Sequence, residues 1–418
     1  MLPKNIRQII LAFAAFFSSW GEGMQHILPH PTLFYIAAVF LLLFINWSLY
    51  FENSRTIYDI PKFYKYLLLY VFLHTVLYCI LNPEVLAFGR EAKRSANDDF
   101  VIEQAATGEI IIRYFSYALF SLLLSFLFRE RRNLGIFSFF YSIGFSFTIF
   151  GGGFSAEYDG LARLSGGMSD PNIMAQDATL ALFLSLSFLK NSKLFVKAIY
   201  IICSVTALSA ILLSFSRGAL LALMVCVFLL TFKKIKLYKI IIGGVVVISA
   251  IFIMYRSLPS DMRTMIELRF SIEEASEKGG AIRTGIWNEY LKNLHSYFVT
   301  GTGISNGQSV LVENHSQEYR VTHNQYLLYL VEFGFIGFAL YFLYFIKCWK
   351  ICMKCIGSKY QLLVMPFIAM SIITVFLNID KGRSFWIILA IINTIWYLNK
   401  NDMFINKKKS KVVAQIGI

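Results

Sequence analysis

Three side chains in this sequence are suited to binding an anion and moving a proton. Arg217 and Arg283 carry guanidinium groups, which hold phosphate or carboxylate oxygens through forked, charge-assisted hydrogen bonds. His323 carries an imidazole, which can accept a proton from a hydroxyl near neutral pH. If the fold brings them together, this set predicts a site for an anionic substrate with His323 as the base.

Arg217 stands among small residues where one apolar run ends and the next begins. Ser214, Ser216 and Gly218 surround it, so another group can approach closely and hydroxyl donors are at hand. A cation at membrane depth costs several kcal/mol unless it faces water or a partner. We therefore expect Arg217 to bind an anion. The alternative is an arginine that anchors a helix end by extending toward water.

Arg283 precedes a pattern typical of an amphipathic helix. Trp287, Tyr290, Leu294 and Phe298 follow at helical spacing, which predicts a helix lying on the membrane surface with Arg283 at its N-terminal end. Helix N-termini favour phosphate. The alternative is a solvated loop arginine.

The sequence Thr-Gly-Thr-Gly at 300–303 suggests a further anion-binding nest of backbone N–H groups. It lacks the Gly-Lys-Ser/Thr ending of a P-loop.

His323 lies where the long polar segment meets the next apolar run. Asn324 and Gln325 follow it, which favours a polar cavity and makes Asn324 a possible substrate contact. The alternatives are a structural role for His323, or a base role for His315.

In the loop at 163–172, Arg163 adds a third cation and a possible substrate contact. Asp170 before Pro171 is typical of a helix cap.

The composition places these residues in a membrane protein. Of 418 residues, 57% are hydrophobic and 15% are charged, whereas soluble domains carry roughly 25% charged residues. The net charge of +14 arises largely from short basic loops between apolar runs, which is the positive-inside pattern. Binding of nucleic acid is the weaker interpretation of this charge.

The apolar runs predict an all-α, polytopic fold with about twelve spans. Basic loops orient both termini to the cytoplasm, and the long loop at 255–323, with short helices, to the opposite face. The predicted regions are 1–150 (N-terminal helices), 151–254 (central helices with Arg217), 255–323 (the long loop) and 324–418 (C-terminal helices and a basic tail). The predicted spans are about 6–20, 32–51, 64–81, 110–128, 134–150, 173–189, 194–214, 218–232, 240–255, 324–347, 361–379 and 384–398.

The cysteines give little support to a metal site. Cys348, Cys352 and Cys355 share a predicted helix face, but no fourth ligand lies nearby in the sequence, so small apolar core residues are the favoured interpretation. The sequence also lacks the zinc-protease motif and the serine nucleophile elbow, which argues against a membrane hydrolase.

Several segments, taken in order, resemble the O-antigen polymerase/ligase superfamily of bacterial envelope glycosyltransferases. They are Arg-Leu-Ser-Gly-Gly-Met-Ser-Asp-Pro-Asn at 163–172, Ser-Phe-Ser-Arg-Gly-Ala at 214–219, Arg-Thr-Gly-Ile-Trp at 283–287, Gly-Thr-Gly at 301–303, His-Asn-Gln-Tyr-Leu at 323–327 and Glu-Phe-Gly-Phe-Ile-Gly at 332–337. The resemblance covers about residues 150 to 350, and the first 130 residues resemble only generic spans.

The resemblance implies transfer of a glycan from undecaprenyl diphosphate to an acceptor sugar hydroxyl at the periplasmic face of the bacterial inner membrane. By resemblance, Arg217 and Arg283 bind the diphosphate, and His323 orients or deprotonates the acceptor. No cofactor, nucleotide or metal is implied. A polymerase extends lipid-linked repeats, which is the favoured activity, whereas a ligase transfers the chain to lipid A–core. A transporter or flippase of a lipid-linked anionic solute is the more distant alternative.

Overall fold

The structure is a computed structural model, and it is built mainly of helices. It describes residues 4–20, 34–42, 60–83, 90–94, 101–105, 107–152, 154–156, 162–168, 170–232, 281–313, 321–380 and 382–416, with residues 24, 27, 44, 256, 263 and 267 between them. The predicted ninth span and His315 lie outside these residues, as does most of the predicted second span, of which residues 34–42 are helical.

The helices follow the apolar runs and end near the basic loops. They are α1 (Lys4–Ser18), α2 (Lys62–Leu81), α3 (Thr107–Leu127), α4 (Arg131–Gly152), α5 (Pro171–Leu189), α6 (Leu194–Leu213), α7 (Arg217–Phe232), α8 (Ala281–Lys292), α9 (Leu294–Tyr297), α10 (Ser309–Glu313), α11 (Gln325–Cys355), α12 (Gln361–Ile373) and α13 (Arg383–Ile416).

Six of the described helices are long and apolar enough to cross a membrane: α2, α3, α4, α5, α6 and α11. Three shorter apolar helices, in α1, α7 and α12, coincide with further predicted spans. The polytopic helical class is thus confirmed, whereas the count of twelve spans stays a prediction. Two antiparallel hairpins, β1 (Arg90–Arg94) with β2 (Val101–Ala105) and β3 (Phe154–Ala156) with β4 (Ala162–Leu164), add strands that the all-α prediction did not include.

Helix α11 is a helical hairpin rather than one straight span. Gly334 has φ 64° and ψ −172°, a backbone conformation that favours glycine. The rings of Tyr329 and Tyr341 stack 4.0 Å apart, whereas twelve residues of straight helix would separate them by about 18 Å. Residues 325–333 therefore lie antiparallel to the segment after Gly334, with Tyr326 beside Phe345, nearer the lysine-rich end of α11.

The segment at 298–303 fills the break in α11. The N–H groups of Thr302 and Gly303 donate to the carbonyls of Val331 (2.9 Å) and Glu332 (3.0 Å), which the break leaves without helical partners. A Cβ atom at Gly301 would lie 2.4 Å from the Glu332 carbonyl oxygen, so glycine permits this close approach. The predicted anion-binding nest at 300–303 is therefore wrong, because its N–H groups bond the helix.

Helix α8 forms where the sequence predicts, but the protein covers its apolar face. Ile286 and Tyr290 are buried in a small core with Tyr297, Val310 and Val331. This corrects the predicted position of α8 on a membrane surface, because its apolar face packs against other protein residues. The apolar spacing reflects packing of the loop helices onto the first half of α11.

Candidate functional site

Arg163, on β4, is buried and bonded to two neighbouring segments. Its side chain is 1% exposed, Nε donates to the Ser214 carbonyl (2.7 Å) and Nη2 donates to Asn172 Oδ1 (3.2 Å). A guanidinium group in this position fixes the backbone of 214–216 against the start of α5. Direct contact of Arg163 with the substrate stays a prediction. In this structure its side chain holds two neighbouring segments in place.

The start of α5 is capped as the sequence predicts. Asp170 is the N-cap, and its carboxylate accepts hydrogen bonds from the backbone N–H (2.6 Å) and side-chain amide (2.9 Å) of Asn172. Pro171 occupies the first helical position, where its missing N–H costs nothing. This cap holds a carboxylate at the edge of the candidate site.

Arg217 is the first residue of α7 and follows a tight turn. Phe215 has φ 49°, a left-handed conformation that costs a residue with a Cβ atom about 1–3 kcal/mol. The Ser214 hydroxyl accepts from the Ser216 N–H (3.2 Å), which stabilises the turn. Arg217 itself is half-buried. The turn places Arg217 at the N-terminal end of a helix, three residues after the Ser214 carbonyl that Arg163 bonds.

His323 lies in a second strained turn, just before α11. Its φ of 46° is also left-handed. The Trp287 indole N–H donates to the Thr322 carbonyl (2.7 Å), and the Thr322 hydroxyl bonds Asn378 Oδ1 (3.1 Å), so α8 and the segment after α12 fix this turn. Next to it, Asn324 caps α11, because its side-chain oxygen accepts from two backbone N–H groups. Substrate binding by Asn324 stays a prediction beside this observed capping role.

The environment of His323 keeps its imidazole neutral. Burial lowers the pKa of His323 below its ordinary value, the positive charge of Arg283 lowers it further, and the carboxylate of Asp170 opposes both. A neutral imidazole has a nitrogen lone pair that can accept a proton. The electrostatic coupling also shows that the long loop brings Arg283 near His323.

The predicted site residues therefore fall into two connected groups. Arg163 bonds the segment that leads into Arg217, and it bonds Asn172 beside Asp170. His323 is electrostatically coupled to Arg283 and to Asp170. The β4 strand, the N-termini of α5, α7 and α8 and the turn before α11 supply these side chains. Their roles in binding and catalysis stay predictions.

The site is recessed below the tip of the α11 hairpin. Gln325 lies nine residues before Gly334, about 14 Å of helix, and Tyr326 packs against Phe345 on the returning half. The sequence places His323 only at the mouth of a span. A signal for the fold-back exists in Gly334, which interrupts an apolar run, although glycine alone does not specify a hairpin.

A second polar group, which sequence reasoning missed, lies within the bundle. Gln176 Nε2 donates to the Ser384 hydroxyl (3.0 Å). Arg383 donates to the carbonyls of Phe17 and Trp20, each at 2.8 Å. These contacts tie α5 to the start of α13, and α13 to the end of α1. The sequence around Gln176 and Arg383 contains no local pattern that predicts these partners.

The cysteines lie closer together than the sequence suggests. Cys226 on α7 lies near Cys352 on α11, which shares a helix face with Cys348 and Cys355. Within the part of the chain that the structure describes, no group of three or more histidine, cysteine or acidic side chains is arranged to hold a metal ion.

Comparison with known families identifies the central part of the chain. Residues 202–342 match the family model described as O-antigen ligase, a range that includes Arg217, Arg283 and His323. No curated protein was found to match the chain. Members of this family are glycosyltransferase-like membrane enzymes of bacteria, with O-antigen ligase or polymerase-type function. The match supports the resemblance of this chain to the O-antigen polymerase/ligase superfamily found in the sequence.

Proposed function

We propose that this protein transfers a glycan from undecaprenyl diphosphate to the hydroxyl of an acceptor sugar at the non-cytoplasmic face of the bacterial inner membrane. The observation that carries the proposal is the electrostatic interaction between half-buried His323 and Arg283, which both lie within the matched region. A base next to a fixed cation fits a reaction in which a hydroxyl loses a proton while a diphosphate departs.

In the proposed reaction the acceptor oxygen attacks the anomeric carbon of the donor sugar. The bond between that carbon and the diphosphate oxygen breaks, and its electron pair leaves with undecaprenyl diphosphate. The hydroxyl proton passes to a ring nitrogen of His323 and then to the diphosphate or solvent. The phospho-sugar bond supplies the free energy, so the step requires no nucleotide.

Arg217 and Arg283 are proposed to bind the diphosphate. Each occupies the first turn of a helix, where backbone N–H groups add partial positive charge. Planar guanidinium groups match phosphate oxygens in pairs, and they stabilise the charge that grows as the bond breaks. Arg163 is proposed to position the turn before Arg217, since its Nε bonds the Ser214 carbonyl.

Polymerisation of lipid-linked repeats is the favoured activity, with ligation to lipid A–core as the alternative. Analysis of envelope glycans in a deletion strain separates them. A polymerase deletion leaves single repeats on the core and removes long chains. A ligase deletion leaves polymer on the undecaprenyl carrier and removes every repeat from the core.

A transporter or flippase is the second candidate, and the broken helix α11 is the observation that favours it. Interrupted helices and buried charges near the membrane midplane are common in transporters, and α11 breaks at Gly334. Purified protein in detergent distinguishes the classes. We expect new glycosidic bonds with equimolar release of undecaprenyl diphosphate; solute movement across vesicles without transfer would contradict this function.

A further inference from the structure

A hydrogen bond joins the helix that carries Arg283 to the turn that carries His323. The indole N–H of Trp287, on α8, donates to the Thr322 carbonyl at 2.7 Å. Arg283 lies four residues before Trp287, so the two share a face of α8, and Thr322 directly precedes His323. The bond therefore connects the two segments that supply the proposed diphosphate cation and the proposed base.

The turn at His323 is fixed by α12 and the segment that follows it. Thr322 is 1% exposed, and its hydroxyl donates to Asn378 Oδ1 at 3.1 Å. The N–H of Gln325, at the start of α11, donates to the carbonyl of Thr374, just after α12, at 2.9 Å. These bonds give His323 a defined place, to which α8 must be aligned.

Helix α8 itself is held by apolar packing in the core of the long loop. Trp287 packs against this core, which contains the buried side chains of Ile286, Tyr290 and Val331. Apolar attraction is non-directional, and it follows the area removed from water. A hydrogen bond, in contrast, weakens steeply when its angle departs from linear. The Trp287 bond therefore adds a directional constraint to the packing of α8.

We propose that Trp287 is a positioning residue, which sets the separation of Arg283 and His323 through its hydrogen bond to the Thr322 carbonyl. The inference rests on the proposed function and adds the residue that aligns the cation with the base. The alternative is a tryptophan that only fills the loop core. The two roles differ in the indole N–H, because packing in the core requires the ring alone.

Two replacements remove the N–H donor of Trp287. Trp287→Phe keeps an aromatic ring, and benzothienylalanine at the same position keeps the bicyclic ring with sulfur in place of the N–H. The second variant separates loss of the bond from loss of volume. Tyr297→Phe is the matched control, because the Tyr297 hydroxyl donates to the Tyr290 carbonyl within the loop core rather than to the turn at His323.

The pKa of His323, measured by NMR on histidine-labelled protein in detergent, reports the alignment without activity. Burial lowers this pKa. Among the described residues, Arg283 on α8 lowers it further, and Asp170, the N-cap of α5, raises it. Loss of the Trp287 N–H should therefore raise the pKa of His323. In an Arg283→Ala background the same loss should leave the pKa unchanged, because the cation that Trp287 aligns is absent.

Kinetics of glycan transfer provide the second readout. Both replacements of Trp287 should lower kcat/KM about tenfold, because a small misplacement of a reacting group is costly. Tyr297→Phe should leave kcat/KM and the pKa of His323 unchanged.

Three results would overturn the assignment. They are an unchanged pKa of His323 after loss of the Trp287 N–H, an equal rise of that pKa in the Arg283→Ala background, and an effect of Tyr297→Phe as large as that of Trp287→Phe. The last two would indicate a general loosening of the loop core. The expected pKa pattern without any glycan transfer would overturn the proposed function and leave the alignment by Trp287 standing.

Discussion

The candidate site and the deeper polar group both contain arginine and other polar side chains, but they differ in burial and in hydrogen bonding. In the site, Arg217, Arg283 and His323 are half-buried and lie at helix ends, next to turns with left-handed backbone at Phe215 and His323. In the deeper group, Gln176 and Ser384 are almost fully buried, and Arg383 bonds the carbonyls of Phe17 and Trp20.

The difference separates a cation that holds helices together from the cations that are proposed to bind substrate. Arg383 donates to the carbonyls of Phe17 and Trp20, so removing it would take a charged donor away from both carbonyls. The strained turns of the site, in contrast, cost folding free energy, because Phe215 and His323 adopt left-handed backbone conformations. Arg163 is intermediate, since it is buried yet bonds the segment that leads to Arg217.

The largest effect is expected from the two half-buried arginines. Arg217→Ala and Arg283→Ala should each lower glycan transfer by about a thousandfold, because each removes fixed charge from the departing diphosphate. Expression and thermal unfolding should stay as in the wild type. Arg217→Lys should restore little activity, since one ammonium group cannot replace a guanidinium fork. Near-normal transfer by either alanine variant would remove that residue from the site.

His323→Ala should lower kcat by about a hundredfold while KM for the donor stays nearly unchanged. The imidazole acts on the acceptor proton rather than on the diphosphate, so donor binding does not depend on it. Steady-state kinetics with varied donor concentration measure both parameters. A large rise in KM with unchanged kcat would assign His323 to donor binding.

Arg383→Met should lower stability and leave activity nearly unchanged, in contrast to the substitutions in the candidate site. We expect a loss of about 3 kcal/mol in the free energy of unfolding, because the carbonyls of Phe17 and Trp20 lose the charged donor that bonds them inside the protein. Activity per folded molecule should stay within about twofold. Thermal unfolding in detergent, with transfer normalised to folded protein, measures both. A fully stable but inactive variant would move Arg383 from the structural group to the site.

The smallest effect concerns pH. The base must be neutral, so transfer falls when pH drops below the pKa of His323, which burial and Arg283 already lower. Asp170 raises that pKa, and Asp170→Asn therefore should move the acid limb of kcat/KM to lower pH, by less than about one unit. Asparagine is also a good N-cap, so α5 is preserved. A shift to higher pH would contradict the inferred coupling.

Local signals in the sequence predict the helices and several of their ends. Asp170 and Pro171 mark the start of α5, because capping depends on neighbouring residues only. The resemblance singled out Arg217, Arg283 and His323, and the structure couples the last two.

The remaining features depend on partners far apart in the sequence. The fold-back at Gly334 requires the segment at 298–303 to bond the exposed carbonyls, and an apolar run on both sides of a glycine does not reveal this. The burial of Arg163 depends on Ser214, fifty-one residues away. The covered apolar face of α8 has the same spacing as a membrane-surface helix, so periodicity alone cannot distinguish them.

The central claim is that Arg217 and Arg283 hold one diphosphate together. Binding of undecaprenyl diphosphate to the wild type, Arg217→Ala, Arg283→Ala and the double variant tests it most directly. We predict that each single variant binds at least about tenfold more weakly, and that the two losses are not additive, because both arginines contact the same ligand. Wild-type affinity in either single variant, or two fully independent losses, would contradict the account.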